Sequence, residues 1–360
     1  MNIFISEDDM CTTQKLNLAR VQKWFEANNC KVTEDANKAD KVLVMTCNGF
    51  SLLEERSLKR IENYKKNHKD KMIAVGCMID SHPEDVAKIW DGPAPPISRD
   101  FKTFVEVARR RPSLLPNGDF IFLNEVGNLD EVGWSNAQKS KLWTYNQHYF
   151  DDLNATDAKL RGKFHKELLK RWVRENPPTA GVGWEPYPTS LRVANWIKWV
   201  LSGNTLPQEC ISSLAIQSRW IFKNIEWHIL GNHIFANAKA LIFAGCFFSG
   251  KEASQWLARG EQILFKQLSE QLLPDGGHFE LSPMYHSIFL EDLLDLINLT
   301  CCCPRLMTYE RRNDMREGAE KMLFWLSNMC HPDGEISFFN DAAFGVAPDF
   351  RELSLYASRL

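Results

Sequence analysis

Two sets of residues in this 360-residue sequence combine types and spacings that suit chemistry. The first is three cysteines, Cys11, Cys47 and Cys77. Short apolar runs at 2–6, 41–46 and 71–76 read as strands. Cys47 and Cys77 follow the second and third runs directly, and Cys11 falls in the loop after the first. The carboxyl ends of an open parallel sheet gather at one edge, where ligands bind. Chance explains one cysteine at a strand end easily and three poorly. Three thiolates without a fourth can hold a [4Fe–4S] cluster with one iron open, or a zinc ion with an open position.

The second set is four segments unusually rich in aromatic, amide and imidazole side chains. They are 142–150 (LWTYNQHYF), 190–196 (SLRVANW, with Arg192, Asn195 and Trp196), Gly231-Asn232-His233 with Asn237, and 275–286 (DGGHFELSPMYH, with His278, Glu280, Tyr285 and His286). Each sits at or beside an expected helix start, so all four could face one end of a helical assembly. Such side chains suit a groove that stacks sugar rings and binds acidic groups. Helix capping and buried hydrogen bonding account for any one segment, but less well for four together. The lone His165 and His228 read as structural, and the Cys301-Cys302-Cys303 run as small hydrophobic filler.

The elements that must position these residues divide the chain in two. Up to residue 90, strands alternate with amphipathic helices at 13–28 and 52–68, the pattern of a small parallel α/β sheet flanked by helices. Residues 91–114 open with DGPAPPISRD and read as a linker. From 115 to 360 the pattern becomes almost wholly helical, with helices expected at 163–175, 189–202, 207–225, 233–248, 252–271, 286–299 and 314–329. Stacked helix pairs would bury their apolar faces in an all-α toroid. No strict repeat occurs, which excludes a simple solenoid.

Composition narrows the partners. With 43 basic and 46 acidic residues the formal charge is −3, and residues 1–90 carry 14 of each sign. A nucleic-acid partner is not supported by charge. The start MNIFISEDDM has no basic, apolar leader, and no apolar run is long enough to span a bilayer. Ten cysteines in such a chain point to a reducing cytoplasm, with thiols as metal ligands or core residues.

Met10-Cys11, 39–47 (ADKVLVMTC) and 75–78 (VGCM) resemble the N-terminal domain of the radical-SAM methylthiotransferases. That resemblance covers residues 1–90 and implies that Cys11, Cys47 and Cys77 hold an auxiliary [4Fe–4S] cluster. The family continues into a radical-SAM barrel with a CxxxCxxC motif, which this sequence does not contain. Methylthiolation by this chain alone is therefore not expected.

The GNH, DGGHFE and SPMYH motifs resemble the helical domain of the heparinase II/III-type polysaccharide lyases, which include alginate lyases, over residues 115–360. The resemblance implies β-elimination from a uronic-acid glycan. The C5 proton of a uronate is barely acidic until the adjacent carboxylate is neutralised. By motif match, Asn232 and His233 neutralise that carboxylate and Tyr285 moves the proton. Arg192, Asn195, Trp196, His278, Glu280 and His286 are then the expected substrate contacts. A free phenol has a pKa of about 10, so Tyr285 as a base needs positive charge nearby, and Arg192 is the candidate. The family also carries a C-terminal β-sandwich that supplies a further His. The expectation is a lyase-like protein without that wall, or one completed by a separate chain. The alternative is a non-catalytic iron–sulfur protein, or an accessory of tRNA methylthiolation, using the toroid as a scaffold.

Overall fold

The computed structural model describes residues 1–6, 18, 21–23, 25–27, 30–46, 63, 64, 66–68, 71–76, 92–98, 101–136, 138–303 and 306–360. Cys11, Cys47 and Cys77 lie outside the described residues. The chain forms two compact units, 1–89 and 90–360.

The first unit is a parallel sheet. Its strands are β1 (Asn2–Ser6), β2 (Lys31–Thr33), β3 (Lys41–Thr46) and β4 (Met72–Gly76), in the order β2-β1-β3-β4. Alternation along β3 sends side chains to two apolar faces, as a sheet covered on both sides requires. Leu43 joins Ile3 and Ile5 against Leu18, Val21 and Phe25. Val42 and Val44 face the other way, toward Phe4 and Tyr64. Residues 21–23, 25–27 and 66–68 are helical, in agreement with the two flanking helices expected. The short β2 edge went unforeseen because three residues are too few to show a period. The ends of β3 and β4 are level, with Thr46 paired to Gly76.

The second unit begins with an extended strap. The segment expected as a linker is hydrogen-bonded along the helical unit. Arg219 donates to the carbonyls of Gly92 and Pro93 at 3.0 and 2.9 Å. Asn298 exchanges two hydrogen bonds with the backbone of Val105, at 3.1 and 2.9 Å. Phe104, Val107 and Ala108 are buried. Prolines prevent a helix there, but the free backbone groups still find partners. A hairpin follows, β5 (Asp119–Phe122) and β6 (Glu125–Asn128). Its two turn residues, Leu123 and Asn124, have φ of 54° and 62°, as a type I′ turn demands. Without the usual Asn-Gly pair the turn was not evident in the sequence.

The rest is helical: α1 (Lys141–Tyr149), α2 (Gly162–Glu175), α3 (Pro186–Leu201), α4 (Gln208–Lys223), α5 (Gly231–Phe247), α6 (Lys251–Gln271), α7 (Pro283–Cys302), α8 (Tyr309–Asn328) and α9 (Phe350–Ser358). Helix starts follow local chemistry. Ser140, Ser282, Thr308 and Asp349 each accept a first-turn N–H, and prolines open α3 and α7. Helix α5 is apolar nearly all round and buried over most of its length. It packs against α3, α4, α6 and α7, the central place expected of such a helix. Trp143, Trp172, Trp184, Trp196 and Trp256 are fully buried. Cys302 is buried and donates to the Lys102 carbonyl at 3.1 Å, which suits its reading as filler.

A second, polar core runs through the helices. Lys198 and Lys239 both reach Asp295 Oδ2, at 2.8 and 2.5 Å, and Lys239 also reaches Asp292 at 2.6 Å. Tyr356 donates to Asp295 Oδ1 at 3.0 Å, and Arg110 pairs with Glu291. These contacts tie the strap and α9 to α3, α5 and α7. Among the described residues no helix is long and apolar enough to cross a membrane.

Candidate active site

Asn232 and His233 occupy the first turn of α5. The chain enters it through Leu230 (φ 65°) and Gly231 (φ 55°), a left-handed corner that costs energy for leucine and little for glycine. That corner lets two adjacent residues serve one site. The Asn232 amide donates to the Tyr187 hydroxyl at 3.3 Å. The His233 ring lies 4.3 Å from the Tyr187 ring, centroid to centroid. His233 Nδ1 is 3.1 Å from Glu226 Oε1. Glu226 is itself held by Asn237, which accepts from its N–H at 2.8 Å and donates to Oε2 at 3.1 Å. With Nδ1 so engaged, Nε2 is the nitrogen left for a ligand.

Tyr285 lies in the first turn of α7, one turn beyond the Ser282 cap. Its hydroxyl is 3.2 Å from Asp341 Oδ2. Burial pushes the phenol up to about 12, and the Asp341 and Glu280 carboxylates add to the rise. No positive charge is among the causes. Tyr285 is therefore a protonated phenol at neutral pH, ready as an acid and resistant as a base. Tyr187 also titrates above the usual phenol range, chiefly through burial and then through Asp292 and Tyr285. Tyr149 behaves likewise, through burial and then Tyr187, with its ring edge-on to Tyr187 at 5.9 Å. Asn232 and His233 thus both touch Tyr187, whose phenol also feels the charge of Tyr285.

The backbone is strained beside the carboxylates near these tyrosines. Phe150 (φ 60°) precedes Asp151, Leu281 (φ 53°) follows Glu280, and Asn340 (φ 51°) precedes Asp341. Asn340 donates to the Leu281 carbonyl at 2.7 Å, and Ser282 to that of Asp341, also at 2.7 Å. Non-glycine residues held at positive φ cluster at functional sites. Large apolar side chains remain exposed along the same loops: Trp227, Phe279, Leu281, Phe338 and Phe339.

The other expected contacts lie deeper. Arg192, the expected source of positive charge for Tyr285, is fully buried. It donates to Gln217 (2.9 Å), the His148 carbonyl (3.2 Å) and Thr189 (3.2 Å), and stacks 3.8 Å over Trp172. It sits mid-helix in α3 and faces the tryptophan core, so it cannot act on Tyr285 as expected. Trp196 is fully buried in the same core. His278 and His286 are buried too, held by Gln271 at 3.0 Å and the Met322 carbonyl at 3.0 Å. Burial pulls them down to about 3 and about 4. Asn195 donates to the Tyr149 carbonyl (2.9 Å) and Asp151 (2.7 Å), which makes it a support behind the tyrosines. Glu280, half-buried, does stand at the site. Sequence reading missed Tyr187, Glu226 and Asp341. Tyr187 was hidden in a proline-rich helix start, and Asp341 lay beyond the last motif. Among the described residues no group of three or more His, Cys, Asp or Glu side chains could hold a metal ion.

Residues 146–352 match the model of the heparinase II/III N-terminus family, more than half of the chain, and the protein belongs to that family. Residues 10–92 match a second model, described as uncharacterized protein family UPF0004, the family of the methylthiotransferase N-terminal domain. Among curated proteins, a heparin-sulfate lyase of Bacteroides stercoris is 35% identical over 118 residues, 31% of this chain and 17% of the relative. That of Bacteroides thetaiotaomicron is 26% identical over 144 residues, 37% of this chain and 20% of the relative. The matches thus span a fifth or less of those relatives' length. The solved heparan sulfate lyase HepC from Pedobacter heparinus aligns over 79% of this chain and 47% of its own, with TM-score 0.45 and 19% identity. A heparinase III structure aligns over 59% and 34%, with TM-score 0.45 and 20% identity.

Proposed function

We propose that the helical unit recognises a uronic-acid glycan and breaks it by β-elimination at the Asn232–His233–Tyr285 site. The observation that carries this reading is the contact of Asn232 and His233 with Tyr187, whose phenol lies within electrostatic reach of Tyr285. The Asn232 amide and a doubly protonated His233, with Nδ1–H on Glu226 and Nε2–H on the substrate, bind the uronate carboxylate and disperse the charge that builds as C5 is deprotonated. The ionised form of Tyr285, its phenol proton lost to solvent, takes the C5 proton, the C–H electron pair forms the C4=C5 double bond, and the C4–O bond breaks. The Tyr285 hydroxyl so formed gives that proton to the departing oxygen. Exposed Trp227 and Phe279 offer faces for neighbouring sugar rings. With Arg192 in the core, the positive charge that would favour the Tyr285 phenolate must come from another group, of this chain or of another. The test is a panel of alginate, heparan and capsular uronate glycans, followed by the ultraviolet absorbance of new unsaturated ends. Asn232→Ala is expected to weaken both binding and turnover. No unsaturated product from any uronate glycan would count against the reading.

For the first unit we propose a [4Fe–4S] cluster on Cys11, Cys47 and Cys77. The level ends of β3 and β4, each followed in sequence by one of these cysteines, support it. Such a cluster supplies redox or sulfur chemistry when bound, and the thiolates supply its anchorage. Alanine at any of the three should strip most of the iron from anaerobically reconstituted protein, while Cys302→Ala should not. Equal iron in all four variants would exclude the site.

A further inference from the structure

We infer that Glu280 is a positioning residue that makes the site's grip on a uronate carboxylate pH-dependent, because its own carboxylate competes for the start of α5. The inference rests on the uronate reading above. One glutamine fixes the geometry. Gln271 donates to the Gly231 carbonyl at 2.9 Å, meets His278 Nε2 at 3.0 Å, and through its backbone carbonyl accepts the Phe279 N–H at 2.9 Å. The Leu281 N–H closes the turn onto the His278 carbonyl, also at 2.9 Å. Glu280 is thereby laid over the corner that leads into Asn232. A Cβ at Gly231 would come to 2.8 Å from Glu280 Oε1, which sets that carboxylate against the corner, while the φ of 55° favours glycine there.

The groups facing Glu280 come from three places. From α5, the Asn232 backbone N–H and the His233 ring favour its charged form. From the loop after α8, Asp341 opposes it, and Tyr285 of α7 feels its charge. Burial, the largest influence, also opposes the charge, and the net effect lifts Glu280 above the usual carboxylate range. A neutral Glu280 leaves the partial positive charge of the helix start, and His233, to an incoming carboxylate. An ionised Glu280 sets a second negative charge beside it, which disfavours binding. Binding of a uronate therefore takes up a proton, and affinity falls as pH rises.

The experiment is calorimetric titration of the whole chain with a uronate oligosaccharide and with its methyl ester, between about pH 5 and pH 8. For wild type, affinity for the uronate should fall by roughly tenfold or more over that range, while the ester shows no such fall. Glu280→Gln keeps an oxygen for the Asn232 N–H and removes the charge. It should flatten the profile and bind tighter than wild type at the alkaline end. Titration of His233 alone would instead leave the slope intact in Glu280→Gln, and that result overturns the inference. A second measurement needs only wild type: the binding enthalpy in buffers of different ionisation enthalpy should report proton uptake, and its absence contradicts the proposal. Uronate binding with an unchanged slope in the variant refutes this inference alone. Failure of either protein to bind at any pH refutes the uronate reading with it.

Discussion

The helical unit holds two polar clusters a few residues apart in sequence, and they are built on opposite principles. In the buried network, Lys198 and Lys239 face Asp292 and Asp295, and Tyr356 satisfies the remaining carboxylate oxygen. Every charge meets an opposite charge, and the helices around it are regular. At the other cluster, three phenols, an amide, an imidazole and three carboxylates converge without a cation acting on Tyr285. The backbone there is bent through left-handed corners at Leu230, Leu281 and Asn340. The first arrangement is complete without a ligand. The second leaves His233 and Tyr285 only partly buried and its charges unbalanced, as a site awaiting a substrate should be.

Breaking the complete cluster should cost stability most. Asp295→Asn leaves two buried lysines short of a counter-charge and should lower unfolding free energy by about 3–5 kcal/mol. Asn232→Ala, at the open cluster, should change it little. Chemical denaturation of both variants checks the contrast, which fails if the two are destabilised equally.

Acid should sharpen the same distinction between buried and open histidines. His148, His278 and His286 are pulled down to about 3, about 3 and about 4, in each case mainly by burial. They are neutral in the folded protein, whereas the unfolded chain takes up protons below its ordinary histidine pKa of about 6.5. Their contribution is therefore complete above that pH and is lost as pH falls toward the folded values. Each should weaken stability by roughly 1.4 kcal/mol per pH unit in that window. Thermal melts from about pH 7 to pH 5 should show a steady fall, and His286→Gln should make it shallower; an unchanged slope would contradict the linkage.

The smallest effect concerns the tuning of the open cluster. The Asp341 carboxylate raises the Tyr285 phenol, so Asp341→Asn should lower it. The rising limb of the pH–kcat/KM profile for elimination, set by ionisation of Tyr285, should then move toward lower pH, with little change in melting temperature. A profile that does not move would remove Asp341 from the site.

Much of this was legible in the sequence, for identifiable reasons. Strands β1, β3 and β4 and helices α2 to α8 announced themselves through apolar period and through caps such as Ser282-Pro283. Asn232, His233, Tyr285 and Glu280 stood out because polar and aromatic residues crowded at helix starts. What a single sequence hides is facing. Arg192 and Trp196 lie within a polar segment of α3, yet the helix turns them into the tryptophan core. Nothing local distinguishes that from a cleft wall. Tyr187 and Asp341 were missed for the converse reason: each joins the site only through packing of distant elements. The strap at 92–110 reads as a linker because its partners, Arg219 and Asn298, lie more than a hundred residues away.

Tyr285→Phe tests the central claim most directly, because it removes one oxygen and leaves the ring packing in place. With a uronate glycan that the wild type cleaves, formation of unsaturated ends should fall by roughly 10²–10⁴-fold, while glycan affinity and melting temperature stay close to wild type. Cleavage by Tyr285→Phe at the wild-type rate would contradict the account.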